Sequence, residues 1–127
     1  MDTNQINSLV FAYLGDSVYE LLIRNHFVNK GINKVNNLQK VVTNYVSAVS
    51  QSKHINYLLE NNYLTDEEID IVKKGRNSKV YSHPKNTDIL TYKWATSLEC
   101  LFGYLYIKQK LDRIEELINI ILGDNLW

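Results

Sequence analysis

Three acidic side chains lie inside apolar segments of the chain, and each has a glycine nearby. Asp16 directly follows Gly15, and Glu20 lies one helical turn further along. Glu99 stands in a second apolar segment, one turn before Gly103. A carboxylate in apolar surroundings is costly unless it is paired or bound to a cation. The spacing also places Asp16 and Glu20 on one helix face, where two solvated acids are the competing interpretation.

The two acidic segments together predict one shared site. A glycine inside a helix costs about 1 kcal/mol relative to alanine, so Gly15 and Gly103 indicate close backbone contacts. If the two helices cross at these glycines, Asp16 and Glu99 share a cavity. Hard cations such as Mg²⁺ bind through one or two carboxylates together with water and phosphate oxygens. Such a site suits metal-assisted hydrolysis of a phosphodiester.

The single cysteine and the three histidines offer no competing catalytic site. Cys100 lies in an apolar segment, where packing is the expected role of a thiol. His26, His54 and His83 lack the paired spacing of zinc ligands, and the sequence has no glycine-rich nucleotide loop. One cysteine cannot form an internal disulfide, which fits a reducing compartment such as the cytoplasm.

The length and composition predict one domain. The 127 residues suffice for a single domain, and a hydrophobic fraction of 45% suffices for a buried core. No segment approaches the ~20 apolar residues of a membrane span. The first residues also lack the basic start and the apolar run of a signal peptide. We therefore expect one soluble cytoplasmic domain over residues 1–127.

Helices must position the acidic residues, because five glycines and one proline leave few places to break a helix. The sequence thus predicts an all-α domain of about six helices. In the first segment, apolar residues recur with a period of 3.6; they are Leu9, Tyr13, Val18, Leu21, Leu22 and Phe27. The second segment is rich in β-branched residues, which leaves a strand as the alternative, but its spacing favours a helix.

The predicted boundaries follow from the periodicity and from the capping signals. Thr65-Asp66-Glu67-Glu68 has the pattern of a capping box. Residues Arg76 to Thr87 lack apolar periodicity and are predicted as the main irregular loop. The predicted helices are Leu9–Val28, one that begins near Val35 and carries a buried stripe to Val49, Ser50–Asn61, one from Thr65 to Lys73-Lys74-Gly75, Asp88–Gln109 and Asp112–Leu122.

Zero net charge conceals an uneven distribution of charge along the chain. Residues 60–70 hold five acids and no base, whereas residues 73–93 hold six bases and one acid. Half of these bases fall in the predicted loop, among asparagine, serine, histidine and threonine donors, a composition that suits phosphate oxygens. A merely solubilising charge run is the alternative. A generally cationic nucleic-acid coat is excluded, so any contact with nucleic acid must be local.

The two acidic segments resemble the signature motifs of ribonuclease III domains. The first is Tyr13-Leu14-Gly15-Asp16-Ser17-Val18-Tyr19-Glu20, and the second is Leu98-Glu99-Cys100-Leu101-Phe102-Gly103-Tyr104-Leu105-Tyr106. Two further segments, Lys74-Gly75-Arg76-Asn77-Ser78-Lys79 and Pro84-Lys85-Asn86-Thr87-Asp88, narrow the resemblance to Mini-ribonuclease III, the short bacterial group that consists of the catalytic domain alone. The resemblance covers nearly the whole chain, so no double-stranded-RNA-binding domain is expected.

The resemblance implies a homodimeric endoribonuclease that needs Mg²⁺ and cleaves double-stranded RNA. It further implies maturation of 23S (large-subunit) ribosomal RNA precursors, with a large-subunit ribosomal protein as a candidate partner. By motif position, Asp16 and Glu99 are the catalytic metal ligands, and Glu20 is a weaker candidate that would support them indirectly. Full-length ribonuclease III carries two more acids, at the positions of Ala12 and Thr96, so the number of metal ions stays open.

The basic segment is the candidate RNA-binding surface. Because A-form RNA hides its bases in a deep, narrow groove, contacts to phosphates and 2′-hydroxyls are expected. The candidate residues are Lys73, Lys74, Arg76, Asn77, Lys79 and Lys85. Four other lysines, expected on helices away from this surface, are Lys40, Lys53, Lys108 and Lys110.

A non-catalytic module of the same fold, which binds RNA or the ribosome, is the alternative function. The absence of acids at positions 12 and 96 favours that interpretation. The presence of Asp16 and Glu99 argues against it, since a module without metal has no reason to bury them. A helical dimerisation adaptor is a third interpretation, and it leaves the basic segment unexplained.

Overall fold

The computed structural model describes residues 5–79, 83 and 85–123, and all regular structure in that part of the chain is helical. In chain order the helices are α1 (Ser8–Asn29), α2 (Val35–Val46), α3 (Ala48–Glu60), α4 (Asp66–Arg76), α5 (Ile89–Ile107) and α6 (Leu111–Gly123). The predicted all-α fold is confirmed. Among the described residues, no helix combines the length and the apolar character needed to cross a membrane.

Side-chain caps fix where several helices begin. Asn7 and Asp88 cap α1 and α5, with their carboxamide or carboxylate oxygens accepting backbone N–H bonds of 2.8 and 2.9 Å. Thr65 and Glu68 form the predicted capping box at the start of α4, with reciprocal bonds of 3.1 and 2.9 Å. Such caps satisfy amides that have no partner inside the helix. They hold the starts of α1, α4 and α5 in place around the site.

The apolar stripe predicted between Val35 and Val49 is interrupted at Ser47. There α2 gives way to α3, and the Ser47 hydroxyl accepts a 3.2 Å bond from the amide of Ser50. Val42 is buried, whereas Val49 is 53% exposed, so the stripe does not continue across the junction. The β-branched segment is helical, as its spacing predicted.

Helix α4 runs through Gly75 to Arg76, although the sequence predicted that it would end at Lys73-Lys74-Gly75. Gly75 does not terminate the helix but packs it against α5. A Cβ atom added there would lie 2.8 Å from the Cys100 sulfur. Lys73, Lys74 and Arg76 therefore belong to the last turn of α4 and not to the loop.

The core surrounds α5, which packs against α1, α3, α4 and α6. Leu98, Leu101 and Leu105 of α5 are completely buried. Helix α1 has the predicted period, but its inward face differs from the apolar set identified in the sequence. The residues that it buries are Phe11, Ala12, Gly15, Tyr19 and Ile23. Tyr13 and Leu21 of the predicted set are 84% and 65% exposed.

Helices α1 and α5 cross at Gly15 and Gly103, as the sequence predicted. A Cβ atom at Gly15 would overlap the carbonyl oxygen of Glu99 and lie 2.7 Å from the backbone nitrogen of Gly103. A Cβ atom at Gly103 would overlap the carbonyl oxygen of Phe11 in the same way. The two helix backbones are thus in direct contact, and no side chain separates them.

The crossing predicts a strong penalty for Gly15→Ala. The added methyl group must push α1 and α5 apart, and overpacking of this kind costs about 1–3 kcal/mol or more, against a helix-propensity gain of about 1 kcal/mol. We expect a lower urea midpoint, measured by circular dichroism. Gly123→Ala is the matched control, because a Cβ at Gly123 meets nothing within 4 Å. Equal midpoints for Gly15→Ala and the wild type would contradict the crossing.

Candidate active site

The crossing of α1 and α5 brings the carboxyl groups of Asp16 and Glu99 together. Asp16 directly follows Gly15 on α1, and the backbone of Glu99 faces Gly15 across the contact. The two carboxyl groups are within hydrogen-bond reach of each other. Two acids can share a hydrogen bond only if one of them keeps a proton, unless a cation lies between them.

The surroundings of Glu99 disfavour its charged form. Burial is the largest cause, followed by the charge of Asp16, the hydrogen bond with Asp16 and the charge of Glu20; together they raise the pKa of Glu99 to about 9. At neutral pH the cation-free pair therefore holds a proton. A divalent cation would replace this proton, since it favours both carboxylates in their ionised form.

An open cavity of about 310 Å³ lies in front of the two acids. The side chains that line it come from α1, from α5 and from the end of α4 with the residues after it. They include Leu9, Ala12, Tyr13, Ser78, Lys79, Tyr92, Lys93 and Thr96 as well as the two acids. The Thr96 hydroxyl is turned onto its own helix, where it donates a 2.9 Å bond to the carbonyl of Tyr92.

The chemistry of this donor set fits a hard cation. Asp16 and Glu99 supply carboxylate oxygens, and the described residues contain no group of three or more histidine, cysteine, aspartate or glutamate side chains suited to a metal. Mg²⁺ is often held by one or two carboxylates, with its remaining positions filled by water and substrate phosphates. Ala12 and Thr96 line the cavity but add no carboxylate.

Glu20 lies near the pair without lining the cavity. Its charge helps to raise the pKa of Glu99, while its carboxylate forms a 3.4 Å ion pair with Arg24 one turn further along α1. The side chain is partly exposed. The Glu20 charge therefore opposes the ionisation of Glu99, and a supporting role in catalysis stays a prediction.

The structure separates the predicted RNA-binding residues into different positions. Lys79 lines the cavity, and with Lys74 it also lines an adjoining groove of about 750 Å³. Lys74 forms a 3.1 Å ion pair with Asp70. The Arg76 guanidinium lies 5.0 Å from the ring centroid of Trp94, a cation–π contact that holds the side chain against the protein.

The remaining candidates lie outside both depressions. Lys73, Asn77 and Lys85 are exposed and line neither the cavity nor the groove. The middle of the predicted loop, residues 80–82 and 84, is outside the described part of the chain. Among the described RNA-binding candidates, Lys79 is the one that lines the cavity with the acids.

Sequence reasoning missed the position of two lysines. Lys93 lines the cavity itself, and its place three residues before Thr96 was the available signal, because residues three apart on a helix are neighbours. Lys108 lines the groove beside Lys74 and Lys79, so the prediction that it lies away from the basic segment is wrong. The end of α5 returns to the same side of the molecule as the end of α4, which no local pattern could indicate.

Comparisons with known proteins agree with this geometry. Residues 9–110 match the family model of the ribonuclease III domain. The chain is 44% identical to Mini-ribonuclease 3 of Enterococcus faecalis, over 93% of this chain and 89% of that protein. It is 40% identical to Mini-ribonuclease 3 of Streptococcus pneumoniae, over 94% of this chain and 93% of that protein.

A solved structure shares the fold. The crystal structure of a Fusobacterium nucleatum protein matches 94% of this chain and 93% of its own with a TM-score of 0.82, at 33% sequence identity. The family match includes both acidic motifs and the glycines at which α1 and α5 cross. This chain therefore belongs to the ribonuclease III family and is an endoribonuclease.

Proposed function

We propose that this endoribonuclease cleaves double-stranded RNA with Mg²⁺ held by Asp16 and Glu99. The observation that carries the proposal is the pairing of two carboxyl groups at the helix crossing, in front of an open cavity. Its family acts on double-stranded RNA. We further propose that the substrate in the cell is the paired end region of the 23S ribosomal RNA precursor, in the cytoplasm, with a large-subunit ribosomal protein as a candidate partner.

The residues divide the chemistry between them. When bound, Mg²⁺ supplies Lewis-acid activation of a water and stabilises charge at the phosphorus. Asp16 and Glu99 would hold the cation at the point where their helices are in backbone contact, at Gly15 and Gly103. No side-chain nucleophile is needed. Burial and the neighbouring charges raise the pKa of the Cys100 thiol to about 12, and Cys100 packs in the core, where its thiol donates a 3.0 Å bond to the carbonyl of Ser8.

Recognition of the duplex rests on the charges beside the cavity. Lys74, Lys79 and Lys108 line the adjoining groove, together with Glu67 and Asp70. Lysines bind phosphate as point charges without reading sequence. This arrangement fits the shape-based recognition expected for A-form RNA.

We also propose that the active form is a two-fold dimer. One face of α1 is apolar and exposed next to the cavity: Leu9, Val10 and Tyr13 are 37%, 53% and 84% exposed. Tyr13 lines the cavity and is nevertheless highly exposed. A second copy of this chain that covers the Tyr13 side chain would explain this exposure. A two-fold axis there would place two cavities across one duplex, one for each strand.

The first prediction concerns the acids. Asp16→Asn and Glu99→Gln should each reduce cleavage by more than tenfold and leave duplex binding intact, because an amide is a poor ligand for a hard cation. The assay uses Mg²⁺ with a transcript of the paired precursor ends and with a random duplex of equal length. We expect both to be cut and the precursor to be cut at fixed positions. A variant that keeps more than a tenth of the wild-type rate is not a metal-ligand variant.

Glu99→Gln, which should reduce cleavage, should increase the stability of the protein when no cation is present. The pKa of Glu99 is raised from 4.5 to about 9 in the folded protein. The stability that goes with the protonated Glu99 carboxyl is therefore fully present below pH 4.5 and is lost as the pH rises through 9. In EDTA at pH 8, Glu99→Gln should therefore be more stable than the wild type, by on the order of 2 kcal/mol. Urea unfolding at pH 5 and pH 8 measures this, and the gap between variant and wild type must narrow at pH 5.

The second prediction concerns phosphate contacts. Lys74→Ala, Lys79→Ala and Lys108→Ala should weaken binding of any duplex and flatten the dependence of log affinity on log salt, by roughly one unit of slope per contact. The effect should be smaller for Lys74 than for Lys108, because the Lys74 charge is already paired with Asp70. Lys40→Ala on α2 is the control. If the control loses as much affinity as these variants, the RNA lies on another face.

The third prediction concerns the dimer. Sedimentation at micromolar concentration should give a dimer for the wild type, and Tyr13→Glu should give a monomer, because it places a charge in the apolar contact. Val35→Glu is the matched control, since Val35 on α2 is 76% exposed and lines neither the cavity nor the groove. A fully active wild-type monomer at the same concentration contradicts the proposed assembly.

A further inference from the structure

We propose that Lys93 is a catalytic residue that contacts a non-bridging oxygen of the scissile phosphate, in the cavity that it shares with Asp16 and Glu99. The inference rests on the proposed function and names a residue that carries out part of it. Lys93 is one of the six bases between residues 73 and 93, but it is not among the predicted RNA-binding residues.

The geometry of α5 places Lys93 on the correct wall. Lys93, Thr96 and Glu99 follow one another at intervals of three residues, and all three line the cavity. Six residues of helix span about 9 Å along its axis. This separation leaves space along the wall formed by α5 for a phosphate between the acids, with their cation, and the Lys93 side chain. The cavity, of about 310 Å³, has room for the phosphate and several waters.

The burial of Lys93 and its lack of an ion pair both point to an anionic ligand. The residue is half-buried, and among the described residues it forms no salt bridge. Lys74 and Arg113, by contrast, are paired with Asp70 and Glu68. A lysine that lines a cavity and forms no ion pair among the described residues can bind a ligand that brings its own negative charge.

The charges in the cavity indicate what Lys93 would do during cleavage. Two carboxylates neutralise one divalent cation, and the positions of Ala12 and Thr96 offer no carboxylate for a second. The phosphate adds one negative charge and develops another as the water attacks. The Lys93 ammonium in the same cavity would stabilise that charge as a second cation would.

Lys79 provides an internal comparison. It lies on the wall formed after α4, is exposed, and lines the binding groove as well as the cavity. Lys79 is therefore expected to act mainly on the affinity for the duplex, whereas Lys93 acts on the chemical step. Substitution of Lys79 should therefore change the Kd for the duplex, and substitution of Lys93 should change the cleavage rate constant.

The experiment compares Lys93→Met, Lys93→Arg and Lys79→Ala in single-turnover cleavage of duplex RNA with Mg²⁺. Methionine keeps the apolar stem of the side chain, so the fold is preserved. We expect Lys93→Met to lower the cleavage rate constant by about 100-fold with less than a threefold change in Kd. Lys93→Arg should restore a part of the rate. Lys79→Ala should chiefly raise Kd.

A second measurement does not depend on activity. In thermal unfolding without RNA, Mg²⁺ should stabilise Lys93→Met at least as much as the wild type, because the variant lacks a positive charge near the cation. Asp16→Asn should lose the stabilisation. If Mg²⁺ no longer stabilises Lys93→Met, the lysine acts by holding the acids in place, and the proposal is wrong.

The two proposals fail in different ways. If the wild type cleaves duplex RNA and Lys93→Met cleaves it within threefold of the same rate, only the role of Lys93 is overturned. If Lys93→Met changes Kd and leaves the rate constant intact, Lys93 is a binding residue and the proposal is again overturned. A wild type that cleaves no duplex with Mg²⁺ overturns the proposed function, and the role of Lys93 with it.

Discussion

The direct contact between the backbones of α1 and α5 is the constraint on which the site depends. Gly15 lies against the carbonyl of Glu99, and Gly103 lies against the carbonyl of Phe11, so the axial separation of the helices is set by main-chain atoms. Side chains can change rotamer, whereas backbones in contact cannot adjust without moving a whole helix. The main-chain separation of Asp16 and Glu99 is therefore set by the fold, and the proton that their carboxyl groups share offsets the repulsion between them.

Burying the Glu99 carboxyl beside Asp16 is unfavourable, and the apolar packing of α5 in the core offsets this cost. The raised pKa of Glu99 shows that burial and Asp16 both oppose its ionisation. The same helix buries Leu98, Leu101, Phe102 and Leu105 completely, and full burial of such side chains contributes roughly 1.5–3 kcal/mol each. Helix α5 can thus hold an unfavourable acid because its other faces are among the most buried in the protein. A site of this kind is preorganised for a cation.

The sequence predicted the features that depend on local chemistry. The acids beside Gly15 and Gly103 indicated the crossing, and Thr65 with Glu68 indicated the capping box. Predictions from the sequence were wrong where one residue pattern is compatible with two structures. Gly75 has the appearance of a helix terminator, but here a glycine is needed because Cys100 packs against it, and a single sequence does not distinguish the two. The periodicity of α1 likewise gave a helix without showing that the face with Tyr13 points outward.

The sequence alone could not predict which lysines lie together near the acids. Lys79 and Lys93 lie on different elements, and only the packing of α4 on α5 brings both to the cavity that Asp16 and Glu99 line. Lys108 joins Lys74 and Lys79 in the groove for the same reason, from the far end of α5. A chain with no net charge has no long-range attraction for RNA, so its binding must rely on such short-range assembly within about one Debye length, ~10 Å. The fold supplies that assembly. It brings lysines from distant parts of the sequence beside the two acids at the helix crossing, and the proposed phosphate contacts of a neutral protein depend on that arrangement.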